Sequence, residues 1–180
     1  MHPSSLIIAH TVQAGGLLNG VLHPILGLDH LLAMVAVGIL SVRLGGKAVW
    51  QVPATFVGVM IIGGILGLTG VSLPAVEPAV ALSVLAIGVA LALDQRLSKV
   101  WSILFVGLFA LFHGHAHGTE VPELAQPAVY ALGFVLSTVA LHISGVLVGL
   151  QSKKMTYGPE ALKTVGAGVA CVGLAILIGL

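Results

Sequence analysis

His23-Pro24-Ile25-Leu26-Gly27-Leu28-Asp29-His30 opens an apolar run that carries no further charge until Arg43. Two imidazoles and a carboxylate are thus crowded into a short stretch of a chain that is otherwise close to pure hydrocarbon. An ionisable group at membrane depth is costly, so each is a candidate functional residue. Pro24 removes a backbone donor and kinks or starts a helix. Gly27 lets another backbone approach closely. On an unbroken helix His23 and His30 share a face but stand about 10 Å apart. A break at Pro24 brings them together around one ion. The alternative is a capped helix start in which Asp29 makes only a local pair.

Working outward, the composition makes the same demand. Of 180 residues, 58% are hydrophobic and 7% charged, and the mean hydropathy is +1.14. A soluble domain of this size has no use for so apolar a sequence, so the chain reads as a polytopic helical membrane protein whose partner is the lipid bilayer. It lacks the short alternating segments of a transmembrane barrel. The 24 glycines suit membrane helices packed backbone to backbone. A net charge of +1 gives no sign of a nucleic-acid partner. Cys171 is the single cysteine, so it makes no disulfide within the chain, and it reads as a small buried hydrophobe. Histidine stands out, with eight copies against six carboxylates, and it is the commonest metal ligand.

The expected fold is one all-α transmembrane bundle over residues 1–180. Six helices are expected, at about 25–42, 50–71, 79–93, 100–117, 128–150 and 160–180. A seventh, short or re-entrant, falls within 5–22, where Gly16 and Gly20 have packing spacing; Gly63 and Gly67 repeat that spacing in the 50–71 helix. Residues 1–10, with His2 and His10, are too short to span and lack the basic start of a signal peptide. Arg43 and Lys47, Arg96 and Lys99, and Lys153 and Lys154 occupy alternate loops, whereas Glu77, Glu120 and Glu123 occupy the others. The basic loops are therefore expected in the cytoplasm. Residues 23–30 and 113–124 then reach the same external face.

The second cluster is Phe112-His113-Gly114-His115-Ala116-His117-Gly118-Thr119-Glu120. On a helix, His113, His117 and Glu120 fall within about 60° of one another, a face suited to a first-row divalent metal. His115 points elsewhere unless Gly114 and Gly118 break the helix. The alternative is a solvated, histidine-rich helix end. His142 lies deep in the 128–150 helix on a face with Thr138, Gly145 and Gly149, either as a structural hydrogen-bonding group or as a transit ligand. Met34, one turn beyond His30, reads as core. No His-Glu-x-x-His and no phosphate-binding loop is present in the sequence.

Three stretches resemble the signatures of the HupE/UreJ proteins: His23-Pro-x-x-Gly27-x-Asp29-His30, Phe112-His113-Gly114-x-Ala116-His117-Gly118-x-Glu120, and Ser137-Thr138-x-x-Leu141-His142-x-x-Gly145. The resemblance runs from about residue 10 to the end. It implies a nickel or cobalt permease of the bacterial cytoplasmic membrane, with a functional link to hydrogenase or urease maturation. The positions it marks are His23, Asp29, His30, His113, His117, Glu120 and His142. His115 falls at a variable position and receives no role.

The reading is a secondary permease, not an enzyme, with an external His/Asp/Glu site and no resident cofactor. Its cargo is Ni²⁺ or Co²⁺, and histidine ligation also suits Zn²⁺ and Cu²⁺. Two rivals use the same residues: an intramembrane zinc hydrolase with a metal-activated water, and a metal sensor without transport. The charge pattern yields a first prediction. In a Cys171-free background, cysteines placed at 47, 99 and 154 should be labelled from the cytoplasm and those at 77 and 123 from outside. External labelling of position 99 or 154 would overturn the orientation.

Overall fold

The computed structural model describes residues 16–93, 98–121 and 126–180. The readings placed on residues 1–10 (His2 and His10 among them), on Arg96 and on Glu123 lie outside these. The described residues form seven helices and no strand: α1 (Gly16–Leu26), α2 (Leu28–Leu44), α3 (Ala48–Leu68), α4 (Val76–Ala92), α5 (Lys99–Thr119), α6 (Pro127–Ser152) and α7 (Gly158–Leu177). By length and composition α3, α5, α6 and α7 can each cross a membrane. α4 has 17 residues, short of the roughly 20 that a bilayer asks for. α1 and α2 meet that standard only as a pair, bent by 76°.

The bend falls at Gly27, which corrects the expected break at Pro24. Pro24 lies inside α1, near its end. A proline deletes one helical hydrogen bond but does not by itself stop a helix. Gly27 does stop it. Its backbone is extended (φ −77°, ψ 109°). Its N–H closes α1 on the His23 carbonyl at 3.1 Å, and its carbonyl accepts the first α2 bond from Leu31 at 2.9 Å.

The bundle is apolar on the outside and polar within. Trp50, Ile62, Leu104, Leu136 and Leu147 are exposed, whereas His30, His113, His115, His117 and His142 are buried. That distribution suits a hydrocarbon solvent. α2 is the central helix and touches α3 through α7. Between Leu31 and Leu40 it is apolar all round, as a buried helix must be, and Met34 is fully enclosed in the core. Cys171, by contrast, is exposed. α7 buries the stripe Leu162, Gly166, Val169 and Gly173, and Cys171 is off that stripe, so the expectation of burial fails.

Glycine sets how closely the helices pack. A Cβ at Gly63 would strike the Leu111 carbonyl, and one at Gly114 would strike the Met60 carbonyl. α3 and α5 therefore run backbone on backbone, as the Gly63/Gly67 spacing suggested. Gly38 and Gly145 do the same for α2 and α6, and Gly20 and Gly133 for α1 and α6. The basic loops gather at one end. Arg43 donates to the Ala90 and Leu91 carbonyls of α4, Lys153 donates to the Val42 carbonyl at 2.7 Å, and Lys99 lies beside Gly46. These contacts satisfy helix C-termini with cations.

Gly114→Ala has backbone in its way, and overpacking of this kind costs about 1–3 kcal/mol. Gly58→Ala meets open space and gains helix propensity. In detergent, thermal unfolding should shift downward for the first and stay level or rise for the second. A Gly114→Ala protein as stable as wild type would contradict the packing.

Candidate metal centre

At the end of the bundle away from the basic loops, the two histidine stretches become one cluster. α1 docks on α6 through Gly20, seated against Tyr130 and Phe134, and this sets His23 above α5. The bend at Gly27 then returns the chain so that His30 comes within 6.2 Å of His23, ring centre to ring centre. From α5, His117 lies 4.7 Å from His23 and 4.2 Å from His30. His113 lies 4.9 Å from His30, one level deeper. Phe134 covers the ring of His117 at 3.9 Å.

At the mouth, His23 Nε2–H donates to Glu120 Oε2 at 3.2 Å, and His117 Nδ1 is 3.9 Å from the same oxygen. Ligand atoms of His23, His117 and Glu120 all lie within 4.8 Å of one another. Two ligands of one ion stand at most about 4.2 Å apart, so a slight closure suffices. The hydrogen bond from His23 holds the Glu120 carboxyl below the usual carboxylate range, against the opposing effect of partial burial. Glu120 is therefore anionic at neutral pH and well below it.

Deeper in, hydrogen bonds define which ring nitrogen is free. Asp29 Oδ1 accepts from His30 Nδ1–H at 2.7 Å. The Ser83 hydroxyl donates to the Val80 carbonyl at 2.7 Å, so it accepts from His113 Nε2–H at 2.8 Å. The Met34 carbonyl accepts from His142 Nδ1–H at 2.7 Å. A neutral imidazole has one donor and one acceptor nitrogen. His30 Nε2, His113 Nδ1 and His142 Nε2 are thus left as buried lone pairs, and among the described residues each lacks a hydrogen-bond partner, as do both nitrogens of His117. Fixing one nitrogen by an outer partner while the other faces a metal is the usual arrangement of metal-binding histidine.

Of the residues singled out in the sequence, His23, His30, His113, His117 and Glu120 converge. Asp29 is present but grips His30 through both its ring and its backbone N–H; it orients the His30 ring and stands outside the His23–His117–Glu120 triad. His142 is set apart by Phe56, whose ring lies 5.5 Å from His113 and 4.9 Å from His142. α5 is unbroken through Gly114 and Gly118. His115 accordingly points away, and its Nε2–H donates to the Val71 carbonyl at 2.6 Å. Sequence reasoning missed Phe56, Ser83, Tyr130 and Phe134. For the last two a signal existed: Tyr130, Phe134, Thr138 and His142 recur every fourth residue, one ridge of a helix. Nothing marked Ser83.

Helices apolar outside and an imidazole–carboxylate cluster within define a multi-pass membrane protein with a polar centre near one end. Comparison with known proteins narrows the class. The family model for HupE / UreJ proteins matches residues 1–176. Protein HupE of Rhizobium leguminosarum bv. viciae is 45% identical over 177 residues, which is 97% of this chain and 92% of the relative. The chain belongs to the HupE/UreJ family. No solved structure matches it.

His113→Ala and His117→Ala should each weaken Ni²⁺ binding by the purified protein at least about tenfold. His115→Ala should change it far less, since its ring bonds a loop carbonyl away from the cluster. A larger loss from His115→Ala would require a different site.

Proposed function

We propose that the chain is a permease for a divalent transition metal ion, nickel ahead of cobalt, taken up from the external side without direct use of ATP. One observation carries this reading. Two stretches more than eighty residues apart in sequence meet as a single buried set of imidazole lone pairs and a carboxylate, at the end of the bundle opposite the basic loops. Six helices, α2 through α7, cross the bilayer in this reading, and α1 is the short N-terminal element that carries His23 over the entrance. Nickel ranks first because of the family; the donors themselves favour first-row ions over Mg²⁺ and Ca²⁺ but do not choose among them.

The chemistry follows from the order of the rings. An ion arriving at Glu120 and His23 exchanges water for a carboxylate and neutral imidazoles. His117, His30 and His113 then offer donors at successively greater depth. Phe56 separates these from His142, so onward movement needs that ring to turn. His142 gives a permease a further donor on the far side of Phe56; a zinc hydrolase has no use for one there. The link to hydrogenase or urease maturation rests on the family name alone.

Ligation needs neutral imidazole, and Glu120 stays ionised well below neutrality. Binding should therefore weaken on acidification, as protons compete with the ion for the ring nitrogens. Proteoliposomes carrying the protein should accumulate Ni²⁺ above empty vesicles at pH 7.5, lose most of that uptake with His117→Ala, and lose it progressively as the pH is lowered. Uptake no greater than that of empty vesicles would defeat the permease reading.

A further inference from the structure

Tyr130 carries no role so far. It sits in the first turn of α6 and is 2% exposed, and its hydroxyl is buried with no hydrogen-bond partner among the described residues. An unsatisfied buried hydroxyl costs about 1–3 kcal/mol, so a native structure that keeps one calls for a reason. The ring lies edge-on to His23 at 6.1 Å, and it lines a small cavity of about 100 Å³ together with His117 and Phe134. Glu120 is within electrostatic range of the phenol.

The other members of the site suggest what the hydroxyl is for. His30 has Asp29 behind it, His113 has Ser83, and His142 has the Met34 carbonyl. Among the described residues, the Glu120 carboxylate has His23 at 3.2 Å and, more loosely, His117 at 3.9 Å; an ion bound by Glu120 and by Nε2 of His23 breaks the closer bond, because that nitrogen cannot donate to the carboxylate and ligate the ion at once. Ligating carboxylates are themselves hydrogen-bonded by outer groups. Tyr130 supplies the one buried hydroxyl without a partner among the described residues.

Resting on the permease reading above, we propose that Tyr130 is a positioning residue for Glu120. When an ion seats between His23, His117 and Glu120, the phenol O–H donates to the carboxylate and replaces the bond that His23 gives up.

Co²⁺ binding to the detergent-purified full chain tests this, read by affinity and by the visible d–d spectrum. Tyr130→Phe keeps the ring and its packing. It should weaken Co²⁺ binding about tenfold and alter the d–d bands. In a Glu120→Gln background the same change should cost less than about twofold, since the two residues act as one unit. An unchanged affinity in Tyr130→Phe overturns the proposal, and so does an equal loss in both backgrounds, which would mark a purely structural role. If Glu120→Gln and His117→Ala leave Co²⁺ binding intact, the ligand set itself is wrong and the proposal falls with it; that result is distinct from a failure of Tyr130 alone.

Discussion

An imidazole inside hydrocarbon has two nitrogens to satisfy, one donor and one acceptor, and much of this structure is arranged around that need. Asp29, Ser83, Met34 and Val71 each accept one ring N–H, from His30, His113, His142 and His115. The opposite nitrogens of His30, His113 and His142 remain as buried lone pairs. A lone pair in such a place is costly when nothing meets it and favourable when a cation does, which is why the proposed function assigns these nitrogens to a metal ion. The bend at Gly27 belongs to the same logic. A Cβ there would stand 3.2 Å from both Asp29 Oδ1 and His30 Nδ1, so glycine ends one helix and leaves room for the pair that begins the next.

Backbone-to-backbone packing brings the rings into register. α3 and α5 interlock through Gly63, Gly67, Gly114 and Gly118, and two of these glycines alternate with the histidines of α5. The same short stretch thus places imidazoles on one face and removes bulk from another. At the opposite end, Arg43 and Lys153 reach across to carbonyls of neighbouring helices. These basic residues thus tie neighbouring helix ends together.

The fold class was legible because hydropathy alone demands it. Helix positions were legible to within a few residues; α4 begins at Val76 and not near 79, because Pro78 sits in a first turn, where a missing N–H costs nothing. The convergence of the two histidine stretches was legible from the alternation of basic and acidic loops, and the shared face of His113, His117 and Glu120 from helical spacing. The difference between a ligand and its orienting partner was not. Asp29 and His30 are adjacent in sequence, and only the observed contact assigns the carboxylate to His30. Ser83 lies on another helix, and no local pattern links it to His113. The place of Phe56 between His113 and His142 depends on the packing of α3 against α5 and α6, which periodicity does not encode.

The central claim is that residues 23–30 and 113–120 hold one ion between them. Calorimetric titration with Ni²⁺ measures this directly through stoichiometry, in the wild type and in His30→Ala, His117→Ala and the double variant. One ion per chain is expected, with binding removed about equally by either single change and little further loss in the double. Two independent ions per wild-type chain, with each single variant leaving one site at normal affinity, would contradict it.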